Sequence, residues 1–357
     1  MCTYICDKNK KKLKNQRIPG LFLCLLIHWL YVCTIYYNKP TNNDKTTNYI
    51  KCRVYFMEGK YMLINYLVNK CNERYSRNME QYGHKVVDSD NCEGYCCNCL
   101  NDVHFPKPGA TKRTYDCPVM ADYYYCRYSY RYASEIVYGL RQFKDLMNLN
   151  KLNVLSIGCG PCTELAALDY LQKKGEYSYS QLDFRGIDPL KGTWVNIWSD
   201  IEAYFNGQVK FFEKDIYQFV DTIVKGDWVP DLIVFQYVFS DMAKKSTKEN
   251  ITEFLHKLTS YVNAQTGKNI YILVNDANAS LEYGAGRDFF DILADRIGST
   301  SIVKRLHFNI NRKTSHFHYG IEYASNDIFF DIPDYIKGKY GAWDSCASAQ
   351  ILIKKVA

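Results

Sequence analysis

The segment Asn153–Leu168, NVLSIGCGPCTELAAL, constrains the fold of this chain more than any other stretch. It begins with a short apolar run of the kind that forms a strand buried on both faces. It then turns through Gly158–Pro161 and restarts with helical character at Thr163 or Glu164. Glycines let a ligand approach the backbone closely, and a helix N-terminus favours a carboxylate or a phosphate. The segment therefore predicts a strand, a ligand-binding turn and a helix.

Two carboxylates follow where the next two predicted strands end. Residues 183–188 predict a second strand that ends at Asp188, and residues 209–216 contain a third short strand with Asp215 just past it. An acid at the end of the second strand can accept hydrogen bonds from two ribose hydroxyls. The sequence therefore predicts a nucleoside site beside the glycine turn.

Strands and helices alternate through the rest of the chain, which favours a parallel sheet. Residues 248–263 and 287–296 have helical spacing. Further strands are expected at 231–237, 269–274, near 301–308 and at 349–354. We therefore expect an α/β fold: a Rossmann-like, seven-stranded, mostly parallel sheet flanked by helices. A small cysteine-rich module is expected to precede it. The predicted divisions are 1–56, 57–132 and 133–357.

In their residues and in their order, these segments resemble class I S-adenosylmethionine-dependent methyltransferases over roughly residues 133–357. The resemblance implies that the turn cradles the methionine end of the cofactor, that Asp188 binds the ribose, and that Asp215 reads the adenine amino group. The cofactor-binding residues that it implies are Gly158, Cys159, Gly160, Glu164, Asp188, Asp215 and Gln236.

The sequence also departs from that family's patterns. Cys162 stands where a third glycine is expected, and Thr163 breaks the dinucleotide pattern G-x-G-x-x-G. No Asn-Pro-Pro-Tyr or Asp-Pro-Pro-Tyr run follows the fourth strand, which disfavours enzymes that methylate exocyclic amines of bases. No Pro-Cys pair stands there either, which disfavours DNA cytosine C5 enzymes.

Charge gives a mild indication of the methyl acceptor. The chain has 45 basic and 38 acidic residues and a net charge of +7. This balance favours an anionic partner without being a nucleic-acid-binding signature. Nucleic acid, in particular structured RNA, is the expected substrate.

The first 56 residues differ from the rest. A basic segment, 8–17, precedes the 20-residue apolar stretch 18–37, whose length suits a membrane anchor. Such an order would export the remainder of the chain and separate a methyltransferase from its cofactor. The alternatives are an anchor of inverted topology, a non-catalytic exported protein, or an extension that is not native, with Met57 as the initiator. We favour the last, and with it a cytoplasmic protein.

Six of the 15 cysteines lie between Cys92 and Cys126. Cys96 and Cys99 have the spacing of a metal knuckle, and Cys117 with Cys126 is the most economical second pair. This pattern predicts a metal site, with zinc favoured over an iron–sulfur cluster. Disulfides and ordinary buried thiols are the alternatives.

Candidate catalytic groups follow the later strands. Asp276 comes directly after a buried strand, Tyr237 follows the fourth strand, and His316 with His318 is expected on one face of a strand. Two other functions stay open: a non-catalytic scaffold that binds RNA or a partner on the same fold, and a nicotinamide-dependent oxidoreductase.

Overall fold

The computed structural model describes residues 61–82, 96–104, 114–223, 227–298, 302–309 and 315–357. Within these ranges an eight-stranded sheet has the order β3-β2-β1-β4-β5-β8-β6-β7. Its strands are β1 Lys151–Ile157, β2 Gln181–Asp188, β3 Val209–Glu213, β4 Leu232–Gln236, β5 Ile270–Ala277, β6 Ile302–His307, β7 Ile321–Glu322 and β8 Ser348–Lys355.

Strands β1 to β5 are parallel, and β8 enters antiparallel between β5 and β6. The central strands are apolar on both sides because each side is covered: Val154 belongs to one core cluster, and the next residue, Leu155, belongs to the other. The predicted Rossmann-like sheet is confirmed. It has eight strands, not seven, because the two residues of β7 pair with the edge of β6.

The helices lie on both faces of this sheet. They are α1 Leu63–Tyr82, α2 Cys96–His104, α3 Pro118–Leu140, α4 Thr163–Lys173, α5 Lys191–Phe205, α6 Ile216–Ile223, α7 Val238–Lys245, α8 Lys248–Ala264, α9 Asp288–Arg296 and α10 Asp334–Tyr340. The first five contribute to the core on one face, and α6 to α9 contribute to the core on the other.

Helix α3 is the longest helix in the described part of the chain, and it is buried along almost its whole length. It begins after Cys117 with Pro118, whose fixed φ suits the first turn of a helix. It runs through residues 132 and 133, so the predicted second and third segments share this helix. A partly buried ion pair joins it to α1, where the Arg74 guanidinium lies 2.7 Å from the Asp122 carboxylate.

None of the described helices combines the length and the apolar composition that a membrane span requires. The predicted anchor 18–37, and the whole division 1–56, lie outside the described ranges.

Candidate active site

A cavity of about 850 Å³ opens at the carboxyl edge of the sheet. The chain leaves β1 toward β2 and β3 on one side and reaches β4 and β5 on the other. Open α/β sheets bind ligands at this reversal of strand order. Six of the seven predicted cofactor residues line the cavity: Gly158, Cys159, Gly160, Asp188, Asp215 and Gln236.

The turn after β1 needs its glycines for two reasons. Gly158 and Gly160 have φ of 63° and 48°, in the left-handed region that favours glycine. A Cβ atom on Gly158 would also lie 2.7 Å from Cγ2 of Val238. The N–H of Cys159 donates to the Ile187 carbonyl and that of Gly160 to Asp188, so these two amides are used within the protein. The glycines therefore allow the backbone of this turn and its packing against Val238.

Asp188 ties the turn to the end of β2. Its carboxylate accepts the N–H of Gly160 at 3.0 Å and that of Leu190 at 2.8 Å. Burial raises the pKa of this carboxyl group, and the two backbone N–H groups oppose the rise. Each carboxylate oxygen has a second lone pair, so Asp188 can still accept ligand hydroxyls. Asp215 lies farther along the wall and accepts the N–H of Tyr217 at 2.8 Å.

Glu164 lies behind the turn and does not line the cavity. Its side chain is buried at the start of α4 and accepts the hydroxyl proton of Ser156 on β1. Burial raises the pKa of its carboxyl group to about 7, against the opposing hydrogen bond from Ser156. Glu164 therefore connects α4 to β1 beneath the glycine turn.

Gln236 and Tyr237 form the wall at the end of β4. The Gln236 amide donates to the Tyr132 carbonyl at 2.8 Å and accepts from the Thr163 hydroxyl. Tyr237 has φ of 58°, a strained conformation for a bulky residue. Its ring centroid lies 4.2 Å from that of Tyr132.

Glu135 on α3 organises this wall, although it was not among the residues predicted from the sequence. Its buried carboxylate accepts four hydrogen bonds: from Arg131 Nε at 2.9 Å, the Tyr237 hydroxyl at 2.8 Å, Asn275 Nδ2 at 3.0 Å and the Ala347 N–H at 2.9 Å. The available sequence signal was the (i, i+4) spacing of Arg131 and Glu135 on a predicted helix.

Arg131 brings a cation to the cavity wall. Its guanidinium lies over the Trp343 ring, 4.4 Å from the centroid, and its Nη2 lies 3.5 Å from the Tyr237 hydroxyl. The other two arginines of this segment have different partners. Arg127 donates to the Tyr340 carbonyl, and Arg141 pairs with Glu176.

Asp276, predicted to be catalytic, does not line the cavity. It is fully buried and accepts the backbone N–H of Ser240 at 3.0 Å as well as the Ser240 hydroxyl. This carboxylate anchors the first turn of α7 to the end of β5. Burial raises its pKa to about 6, opposed by the Ser240 hydrogen bonds.

His316 is exposed and lies in a short 3₁₀ helix, Ser315–Phe317, so the prediction of a strand there is wrong. Its ring contacts Tyr283 at a centroid separation of 5.8 Å, and Tyr283 lines the cavity. The chain turns at Gly320, where an added Cβ would lie 2.1 Å from the Arg305 carbonyl oxygen. This close crossing leaves only Ile321–Glu322 to pair with β6.

An aromatic wall that the sequence patterns did not predict is formed by α2, α3, α5 and the segment just before α3. Its cavity-lining members are His104, Tyr115, Tyr124 and Trp194. The Nε2 atom of His104 lies 2.8 Å from the Tyr115 hydroxyl. Burial lowers the pKa of His104 to about 4, with further lowering by nearby Lys244 and Arg127. The imidazole is therefore neutral at pH 7.

The cysteines do not assemble the predicted metal site. Cys117 precedes the first turn of α3 and Cys126 lies nine residues later in the same helix, a rise of about 13 Å. Two thiolates on one zinc ion lie within about 5 Å of each other. The Cys126 thiol instead donates to the Val68 carbonyl. Across the described ranges, no three metal-binding side chains form a group. The structure therefore does not support the prediction that Cys96, Cys99, Cys117 and Cys126 share a zinc ion or iron–sulfur cluster.

Comparison with solved structures returns methyltransferases. The plantazolicin methyltransferase BpumL, in complex with SAH, is 14% identical, with 80% of this chain and 100% of that chain covered at a TM-score of 0.38. A putative class I S-adenosylmethionine-dependent methyltransferase from Listeria monocytogenes is 11% identical, with 83% and 80% covered at 0.35. The precorrin-6y C5,15-methyltransferase from Geobacter metallireducens is 11% identical, with 61% and 87% covered at 0.32.

At these identities and TM-scores the matches carry no argument of their own. The fold rests on the strand order. No protein-family model and no curated protein matches the sequence.

Proposed function

We propose that this chain is an S-adenosylmethionine-dependent methyltransferase. The observation that supports this most is the meeting of the glycine turn, Asp188, Asp215 and Gln236 on the wall of one cavity, at the reversal of strand order. These groups come from the ends of β1, β2, β3 and β4, in the order that the sequence resemblance implies.

The residues on the wall fit the chemical groups of the cofactor. Asp188 has lone pairs for ribose hydroxyls, and Asp215 can accept from the adenine amino group. The backbone of Gly158, Cys159 and Gly160 lines the cavity, so a ligand can lie against this turn. The Arg131 guanidinium is the group suited to a methionine carboxylate, because its planar fork matches a carboxylate.

The cofactor would supply a methyl group on a good leaving group, so the protein's task is chiefly to position an acceptor in line with the S–CH₃ bond. The wall at Tyr237 and Tyr132 presents aromatic rings, which attract a cationic centre. Tyr237 donates its hydroxyl proton to Glu135, and Glu135 is saturated by four donors. This arrangement holds the wall rigid and leaves Tyr237 no role as a base.

Nucleic acid as the acceptor stays a prediction from the charge balance. The cavity continues past Tyr237 to Ala277–Ala279, Tyr283 and Phe317, so an acceptor is expected to enter over the ends of β4 and β5. Nucleic acid that copurifies with the full chain is the first acceptor to test.

The proposal is tested by calorimetric titration of the full chain with S-adenosylhomocysteine, S-adenosylmethionine and NAD. We expect binding of the first two and none of NAD. Asp188→Asn should weaken binding by about 10- to 100-fold, because hydrogen bonds to a charged group contribute about 1.5–3 kcal/mol. Asp183→Asn, on the same strand but absent from the cavity wall, is the matched control.

Transfer of a labelled methyl group then separates an enzyme from a scaffold. Binding of the cofactor without transfer to copurified nucleic acid would favour the non-catalytic scaffold. Binding of NAD alone would favour the oxidoreductase and contradict the proposal.

A further inference from the structure

Cys159 and Cys162 close the turn that lines the cavity. In the sequence Cys159-Gly160-Pro161-Cys162 the N–H of Cys162 donates to the Cys159 carbonyl at 2.8 Å. Four residues closed in this way form a β-turn, whose outer Cα atoms lie within about 7 Å. A disulfide requires Cα atoms about 4.4–6.8 Å apart. The backbone of this turn therefore already has the closure that a disulfide needs.

The side chains of Cys159 and Cys162 lie beside each other, since each shifts the pKa of the other. The Cys162 thiol donates to the Gly160 carbonyl inside the turn at 3.7 Å. Burial raises the pKa of Cys159 to about 11, and the neighbouring Cys162 thiol opposes the rise. The Cys159 thiol adds to the effect of burial on Cys162, whose pKa is raised further. Cys159 is therefore the thiol of the pair that ionises first.

Gly186 on β2 provides the space for this pair. A Cβ atom there would lie 2.9 Å from the Cys159 sulfur. Access differs between the two cysteines, because Cys159 lines the cavity whereas Cys162 is fully buried. A reagent in the cavity therefore reaches Cys159 first, and Cys162 lies behind it.

We propose that Cys159 and Cys162 are a reversible dithiol site, oxidised to a disulfide by a small-molecule disulfide such as glutathione disulfide. The Cys159 thiolate attacks one sulfur of the reagent and displaces one glutathione thiolate. The Cys162 thiolate then attacks the Cys159 sulfur and displaces the second. Two S–H bonds become one S–S bond, and the two protons go to the two glutathione thiolates, so one glutathione disulfide is reduced.

Closing the disulfide changes the wall that the cofactor would contact. A disulfide brings the two sulfur atoms to about 2 Å from each other, which pulls Cys159 toward Cys162. The peptide between them carries the Gly160 N–H that binds Asp188. Oxidation is therefore coupled to ligand affinity, and this part of the inference rests on the proposed function.

The disulfide can be detected without any ligand. Trypsin cleaves after Lys151 and Lys173 and releases peptide 152–173, which contains Cys159 and Cys162 and no other cysteine. The full chain is equilibrated with mixtures of reduced and oxidised glutathione, quenched with acid, alkylated and digested. We expect this peptide to lose two hydrogen atoms and to escape alkylation as the oxidised fraction rises. A peptide that stays doubly alkylated at every glutathione ratio overturns the proposal.

Two variants separate this pair from the other cysteines. Cys162→Ser should carry only a mixed disulfide with glutathione at Cys159, whereas Cys126→Ser should form the internal disulfide as the wild type does. A Cys126→Ser protein whose 152–173 peptide stays doubly alkylated under oxidising conditions would contradict the assignment.

Calorimetry with S-adenosylhomocysteine tests the coupling. We expect the oxidised protein to bind about tenfold more weakly or worse, within the range typical of coupled sites. By reciprocity, saturating ligand should shift the midpoint glutathione ratio by the same factor. Equal affinities of the two forms would refute the coupling. Absence of binding to the reduced protein would contradict the proposed function and the coupling, while the peptide mass would still decide the dithiol.

Discussion

Replacing Glu135 by glutamine tests whether one buried carboxylate holds the cavity wall together. The carboxylate accepts four hydrogen bonds, two on each oxygen. Glutamine has nearly the same shape but offers only one oxygen. Its NH₂ group would replace the second oxygen, so the two donors that bond to that oxygen would lose their acceptor. The Arg131 guanidinium would also lose its charged partner.

The expected decrease in the free energy of unfolding follows from these lost interactions. A hydrogen bond to a charged group contributes about 1.5–3 kcal/mol, so two lost bonds correspond to about 3–6 kcal/mol. Breaking a buried ion pair by removing one partner costs about 3–5 kcal/mol. We expect Glu135→Gln to lower the free energy of unfolding by about 4 kcal/mol, a large part of the roughly 5–15 kcal/mol of a typical domain.

Urea denaturation measures this loss as a lower transition midpoint at an unchanged slope. The matched control is Glu176→Gln, which breaks the pair with Arg141, where both side chains are 30% exposed. Such pairs contribute about 1 kcal/mol or less. If Glu135→Gln costs no more than Glu176→Gln, the reasoning that this carboxylate organises the wall is refuted.

Three other residues of the site give predictions of their own. For Glu164, the raised pKa means that the folded state binds the proton more tightly than the unfolded state. The stability of the wild type relative to Glu164→Gln should therefore fall by about 3 kcal/mol as pH rises from 4.5 to 7, and a constant difference in urea melts across that window would contradict it. Gly158→Ala should abolish S-adenosylhomocysteine binding because of its clash with Val238. The control Gly175→Ala, with φ of 72° and open space around its Cβ, should cost about 1–2 kcal/mol in stability and leave the affinity unchanged. Arg131→Lys should weaken binding of S-adenosylhomocysteine by about tenfold but not that of adenosine, since the planar fork recognises the carboxylate; equal losses for both ligands in calorimetry would argue against that role.

The strand–turn–helix unit was predictable because its signals are local. The apolar run, the glycines and the restart at Thr163 all lie within a few residues of one another. Asp188 and Asp215 were predictable for a related reason, since the carboxyl ends of neighbouring parallel strands meet at one edge of a sheet.

Glu135 could not be found in this way. Its partners Tyr237, Asn275 and Ala347 lie more than 100 residues away in the chain, and nothing in the local pattern of α3 distinguishes it from a solvent-facing acid. Asp276 shows in the opposite way that a local pattern does not reveal the surroundings of a carboxylate. It lies at the end of a buried strand as Asp188 does, yet the first turn of α7 covers it.

The order of strands and helices and the backbone freedom of the turn at Gly158 were already determined in the sequence. These depend on periodicity and on φ, which neighbouring residues fix. Tertiary packing alone decided which carboxylates face the cavity, that Asp276 lies beneath the first turn of α7, and that Glu135 joins α3 to the ends of β4 and β5. Those outcomes depend on burial, because a side chain's environment is set by the elements that pack against it.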